Sequence, residues 1–310
     1  MPVRTASIRL FSCCYLVLIS SILIFQPYPL LAQQDNGISQ NTPAESSVLE
    51  FDTLQIEDVY GERYEYTGQI LNGKAYGTGE AQYGNGSHYK GEFFNNTFYG
   101  KGVYTSANGD VYDGEFKHDL FHGYGTYTWS DGDIYEGQWK LGRKHGEGTY
   151  RKKNGNIYRG EWYDGVEHGQ GELVENNGDR YRGEWKEGEK HGFGRYEFSN
   201  GDFYQGEFRS NTFDGKGMFV AADGSVYIGE WKEGKHHGRG LYENEKGELY
   251  VGEIDNGERL GKGAFWWSYD RKYMGEFYHG QFHGDGIYID YIAPVKLMGE
   301  WIAGEYQTDE

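Results

Sequence analysis

Three features of the sequence predict an all-β chain, folded as an elongated, twisted, single-layer antiparallel sheet of about ten 23-residue β-hairpin repeats. Glycine makes up 50 of 310 residues and proline only 5, about twice the usual glycine share of roughly 7%. The 29 Tyr, 17 Phe and 8 Trp exclude a disordered low-complexity chain, which would lack the apolar surface to offset ordering entropy. The third feature is a period. Tyr66, Tyr89, Tyr112, Tyr135, Tyr158, Tyr181, Tyr204, Tyr227, Tyr250 and Tyr273 recur every 23 residues without a slip, and a truncated eleventh unit starts one residue late at Leu297.

With each tyrosine counted as column 0, glycine fills column 2 in all eleven units and columns 11 and 13 in the ten complete ones. Columns 7 and 20 are mostly glycine, and these five columns hold 47 of the 50 glycines. Side chains alternate between the faces of a strand, so Tyr(0), Gly(2) and Trp or Phe(4) share one face. Glu(3) and column 1 face the other way. In the second strand, Gly(11), Gly(13) and an aromatic at column 15 again share a face. Rings alternating with glycines let a ring lie over a bare glycine on the adjoining strand. Asn-Gly and Asp-Gly pairs at columns 19–20, such as Asn108-Gly109 and Asp131-Gly132, predict tight turns. Column 7 predicts a second turn with positive φ, because its non-glycine residues are Asn96, Asp119 and Asn211.

A typical unit reads Tyr181-Arg-Gly-Glu-Trp-Lys-Glu-Gly-Glu-Lys-His-Gly-Phe-Gly-Arg-Tyr. This pattern resembles the MORN repeat, and the resemblance covers residues 66–305. It implies one hairpin per repeat in a single elongated sheet that serves as an interaction module, in some cases on membranes. No sequence outside the array is long enough for an attached enzymatic domain. Unit 1, with Ile70 at column 4, and the chain after Tyr288 read as end caps of a quasi-one-dimensional array.

Ahead of the array, Arg4 and Arg9 precede an apolar run from Leu10 to Phe25, broken afterwards by Pro27 and Pro29. Residues 1–32 read as a secretory signal peptide or an N-terminal membrane anchor, which predicts an extracytoplasmic protein, secreted or periplasmic. Residues 33–59 read as an acidic flexible linker, 60–305 as the array and 306–310 as a C-terminal tail. Both cysteines, Cys13 and Cys14, lie in the first segment, so the body has no thiol chemistry.

The formal charge is −18. Since residues 1–32 carry two arginines and no acid, the rest holds 28 basic and 48 acidic groups, a net of −20. Nucleic acid is an unfavourable partner for such a chain, as is an anionic lipid surface. Basic residues concentrate in the middle of the array, where Arg151, Lys152, Lys153, Arg180 and Arg182 form a candidate anion patch.

Repetition also argues against chemistry. His122, His145, His168, His191, His237 and His283 all fall at column 10, but equivalents two strands apart are ~10 Å distant and cannot share a metal needing ligands ~2.0–2.1 Å away. They are expected to cap the hairpin loop instead. Glu at column 3 in nine of eleven units is expected to serve hairpin hydrogen bonding, not a tuned acid–base pair. No catalytic residue, metal site or cofactor is predicted.

The reading is therefore a non-catalytic scaffold that binds a protein partner or a second copy through an aromatic groove or its end strands. Tyr135, Trp139, Tyr158, Trp162, Tyr181 and Trp185 are predicted to line that groove. Membrane association through the N-terminal segment or the basic patch, and glycan binding, are the alternatives. One correlation predicts packing: Phe93, Phe116, Phe208 and Phe277 at column 4 accompany Phe98, Phe121, Phe213 and Phe282 at column 9. These pairs are expected to touch, whereas a tryptophan at column 4 is expected to cover the space by itself.

Overall fold

The computed structural model describes residues 50–58 and 61–308; the predicted signal or anchor and residues 33–49 of the linker lie outside them. Twenty-three strands run from β1 (Glu50–Glu57) to β23 (Glu305–Tyr306). Each pairs antiparallel with its neighbours in sequence, as in β1 with β2 (Arg63–Leu71) and β2 with β3 (Lys74–Tyr83). The result is one meander sheet, with two strands per 23-residue unit.

The column-0 tyrosines build the core. Their rings are 0–3% exposed and the column-4 residues 2–7%. On this single-layer sheet the rings of successive hairpins cover one another. Each Tyr lies over Gly(2) of its own strand and Gly(13) of the next, and its hydroxyl donates to the column-3 carbonyl. Tyr89 reaches the Glu92 oxygen at 2.9 Å, and Tyr181 that of Glu184 at 2.8 Å. A Cβ at Gly194 would sit 2.6 Å from both Oη and Cε2 of Tyr181, so the ring-over-glycine packing leaves no room for a side chain.

Two turns close each unit. At columns 6–7 both residues adopt positive φ, as in Asn95 and Asn96 (52° and 67°) or Leu141 and Gly142 (51° and 79°), the primed-turn conformation that matches strand twist. At column 20 glycine is again left-handed, with Gly109 at 92°. The register shifts between columns 2 and 3, a β-bulge in each hairpin.

Two boundaries and one placement differ from the sequence reading. Residues 50–57, assigned to the flexible linker, form β1, because Leu54 and Ile56 share a face and pack on the first hairpin. Tyr306, assigned to the tail, lies in β23 and packs against Trp301 at 5.4 Å between ring centroids. Its ring covers Gly299 and its hydroxyl donates to the Met298 carbonyl at 3.2 Å. It thus supplies the column-0 ring that unit 11, starting with Leu297, lacks. Finally, the column-10 histidines sit in strands opposite the column-3 glutamates, as His168 faces Glu161, and not in the loop they were expected to cap.

Candidate groove

The six aromatic residues expected to line a groove are buried on the inner face. Tyr135, Trp139, Tyr158, Trp162, Tyr181 and Trp185 pack edge-to-face in series, for example Tyr135 on Trp162 at 5.2 Å and Tyr158 on Trp185 at 5.1 Å. Burial of this order leaves a partner little of them to touch. What reaches solvent on this face is the next layer: columns 9, 15 and 17.

Column 9 distinguishes the units. In-register pairs Phe93–Phe98, Phe116–Phe121, Phe208–Phe213 and Phe277–Phe282 meet at 5.3–5.6 Å between centroids, as the correlation predicted. Each column-9 ring also stacks on the column-0 tyrosine, Phe98 on Tyr89 at 3.8 Å and Phe213 on Tyr204 at 3.8 Å. Tryptophan units do not leave this place empty, contrary to the expectation that indole alone covers it. His236 stacks on Tyr227 at 3.7 Å, and burial pushes its pKa down to about 4. The Lys144 ammonium lies 4.0 Å from the Tyr150 ring, 4.4 Å from Trp162 and 5.3 Å from both Trp129 and Tyr135. Lys190 approaches Tyr196 at 4.6 Å. Cation–π attraction holds these amines where phenylalanine sits elsewhere, and desolvation lowers both their pKa values.

Units 4–6 thus carry Lys144, Glu167 and Lys190 at the position that flanking units fill with rings. Unit 5 also has Leu173 at column 15 where most units have Tyr or Phe. The smaller side chains open a pocket of about 230 Å³, lined among others by Tyr150, Lys152, Glu167, Leu173, Trp185 and Lys190. Trp139, Trp162 and Trp231 donate their indole N–H to Gly125, Gly148 and Gly217 carbonyls at 3.1–3.3 Å. The buried Nε1 of Trp185 has no acceptor.

The candidate anion patch does not come together. Arg180 and Arg182 both pair with Glu172, at 3.5 and 2.9 Å, and Arg151 with Glu136 at 3.6 Å. These three lie on the outer face, opposite the rings. Lys152 lines the groove pocket, and the Lys153 amide donates to Asp133 at 2.8 Å in the turn.

The column-3 carboxylates have the structural part expected of them. Those of Glu92, Glu115, Glu161, Glu184, Glu207 and Glu230 accept the amide N–H of column 12 across the bulge, as Gln170 to Glu161 at 2.8 Å and Phe193 to Glu184 at 3.0 Å. An acidic ladder at column 21 was not foreseen, although the Asp two residues before Tyr112, Tyr135, Tyr181 and Tyr204 signals it. Asp110, Asp133 and Asp179 accept amides of the next unit's turn at 2.8 Å and bond Tyr127, Tyr150 and Tyr196. Those backbone bonds hold their carboxyls below the usual range. Among the described residues no group of three or more His, Cys, Asp or Glu is placed to hold a metal ion.

The family model described as the MORN repeat matches nine times, over 89–111, 112–134, 135–157, 158–180, 181–203, 204–226, 227–248, 250–268 and 273–291. No curated protein matches the chain. Among solved structures, it is similar to the TCP domain of Drosophila melanogaster SAS-4 (dCPAP), solved with a proline-rich motif of Ana2 (dSTIL). That match has 12% identity, covers 65% of this chain and 90% of that one, and has a TM-score of 0.30. It is also similar to a virginiamycin B lyase from Staphylococcus aureus at 13% identity, covering 81% and 75% of the two chains with a TM-score of 0.15. Neither likeness is strong enough to bear on function.

Proposed function

The chain belongs to the MORN-repeat family, and we propose that it is a non-catalytic, extracytoplasmic scaffold whose groove over units 4–6 holds a segment of a protein partner. MORN repeats are in general protein- or membrane-interaction modules. The observation that carries the protein reading is the change at column 9. Where flanking units seal the groove with stacked phenylalanines, units 4–6 present Lys144, Glu167 and Lys190 around a 230 Å³ pocket. Mixed charge beside Tyr and Trp suits one polar side chain of a bound segment. An anionic bilayer is a poorer fit, since three of the five basic residues are paired with glutamates on the other face. The basic n-region and apolar run at residues 4–25 support export.

The test is capture of partners by the purified chain, compared with Lys152→Glu and Glu167→Lys, which reverse charges on the pocket wall and leave the buried Tyr and Trp columns unsubstituted. Binding should fall at least tenfold in both variants with far-ultraviolet circular dichroism unchanged. Equal binding by all three would remove the groove from the reading. Tight cosedimentation with acidic vesicles at ~0.15 M salt, lost on neutralising Arg151, Lys152 and Lys153, would decide for lipid.

A further inference from the structure

The outer face, which neither the repeat pattern nor the groove explains, changes character midway along the array. Columns 1 and 14 are cross-strand neighbours throughout. Over units 1–6 they hold mainly charged and hydroxyl residues tied by ion pairs, Lys90 to Glu80 at 2.7 Å and Arg182 to Glu172 at 2.9 Å. After Gln205 at column 1 of unit 7, the same columns read Met218, Ile228, Leu241, Val251, Ala264, Met274, Ile287 and Met298. These eight residues are Cα partners in succession across eight strands, from β15 (Thr212–Val220) to β22 (Val295–Ile302). A second row two residues along the strands adds Val220, Val226, Leu249, Trp266 and Ile289, with Glu243, Lys272 and Lys296 set between them.

No described element covers these rows. Val251 is 41% and Met298 64% exposed. At ~4.8 Å per strand and ~7 Å between rows, the stripe measures about 34 by 14 Å, on the order of 500 Å². Its limits are built in. At the unit-6 end Arg195 stacks on Phe203 at 3.9 Å, and beyond it the columns are charged. At the other end the stripe runs to β22, whose outer edge is bonded only at Trp301 and Ile302 by β23.

We infer that this stripe is a homodimer interface, in which the outer faces of units 7–11 of two copies pack sheet on sheet. Two such faces bury about 1,000 Å², the lower bound for a specific interface, in the geometry of a β-sandwich that a single-layer sheet otherwise lacks. The flanking row fits a second copy better than a lipid surface. It runs Lys216, Glu230, Arg239, Glu253, Lys262, Glu276, Asp285 and Glu300, alternating in sign as far as Glu276, with Arg239 and Glu253 3.9 Å apart. A two-fold axis along the strands between Val251 and Ala264, the middle of the stripe, sets Glu253 against Lys262, Arg239 against Glu276 and Lys216 against Glu300, with Glu230 facing Asp285 as the one like pair. Residues 203–308 hold 11 basic and 17 acidic groups, a net of −6, which an anionic membrane repels. The charged outer face of units 1–6 excludes the slipped register in which the stripe of one copy would cover the wrong half of the other.

Sedimentation velocity of the purified full-length chain between about 1 and 100 µM tests this, alongside Leu241→Lys/Val251→Lys and the milder Leu241→Thr/Val251→Thr. The expected result is a monomer–dimer equilibrium with Kd in the micromolar range, shifted at least tenfold toward monomer by both variants, whose tryptophan fluorescence stays native. A wild-type chain monomeric at ~100 µM, or a dimer indifferent to both substitutions, overturns the interface. Cosedimentation of wild type but not of the variants with neutral phosphatidylcholine vesicles would identify the occupant as lipid and overturn it equally. The groove variants Lys152→Glu and Glu167→Lys should leave the dimer intact, so loss of partner capture and loss of dimer fail separately.

Discussion

Units 2–6 and units 7–10 share the same buried columns and present opposite outer faces. Tyr112 and Tyr227 occupy equivalent places, each with its hydroxyl on a column-3 carbonyl at 2.8–2.9 Å. Outside, one region carries Lys90, Glu172 and Arg182, the other Ile228, Leu241 and Val251. The inner face varies too, with phenylalanine, lysine, glutamate, histidine or arginine at column 9 over the same tyrosine. Invariant columns hold the sheet together, and the variable ones are free to carry recognition. That division is what the comparison teaches, and substitutions can sharpen or break it.

The largest effect should come from the invariant set. Gly194→Ala places a Cβ 2.6 Å from the Tyr181 ring and hydroxyl, and is expected to cost about 3 kcal/mol or more through overpacking. Thr149→Ala, on the outer face one residue from Gly148, should cost no more than ~0.5 kcal/mol. Urea unfolding of the two variants checks the contrast; similar losses would break it.

The second effect distinguishes unit 8 through pH. His236 is held neutral in the fold, its pKa lowered to about 4 by burial against Tyr227 and Trp231. The unfolded chain takes up a proton near 6.5, so stability is full above about pH 7 and is lost as pH falls from 6.5 toward 4. After discounting for its partial solvent contact, the loss amounts to roughly 1–2 kcal/mol. His236→Phe should abolish that slope and nothing above pH 7.

A smaller gain is expected in unit 4. Lys144→Phe replaces a partly desolvated amine with the ring that units 2 and 3 stack on the same tyrosine, and should stabilise by about 1 kcal/mol. It should also weaken partner capture by the groove. A loss of stability would show that the four-ring cage around the ammonium outweighs its desolvation.

The smallest concerns the turn ladder. Asp133→Asn keeps an acceptor for the Lys153 amide but removes the charge, and is expected to cost roughly 0.5–1 kcal/mol. Because the aspartate's pKa is depressed in the fold, its contribution is present above about pH 4 and lost as pH falls through the lower folded value. The variant should therefore resist acid relative to its own neutral-pH stability.

Most of the core was legible from the period. Alternation placed Tyr(0), Gly(2) and Trp or Phe(4) on one face, and the Asn and Asp at column 7 announced left-handed turns that Asn96, Asp119 and Asn211 adopt at 65–67°. Column 6 was not legible, because Leu141, Glu187 and Glu233 have no intrinsic preference for their φ of 50–54°; the two-residue turn imposes it. Burial of Trp162 was missed because period-2 reasoning assigns a face but not the cover that rings of successive hairpins give one another. β1 was hidden by the acids around Leu54 and Ile56. The outer stripe was invisible for a different reason. Its members are 10–13 residues apart in sequence, and only strand register aligns them.

The central claim, that buried columns make the fold while variable columns make the contacts, is tested most directly by thermal unfolding of Leu241→Lys/Val251→Lys below the dimer concentration. A midpoint within about 2 °C of the dilute wild type is the predicted result, since surface changes stay within ~0.5 kcal/mol. A drop as large as that of Gly194→Ala would contradict it, by showing that the outer face holds the sheet together as much as the rings do.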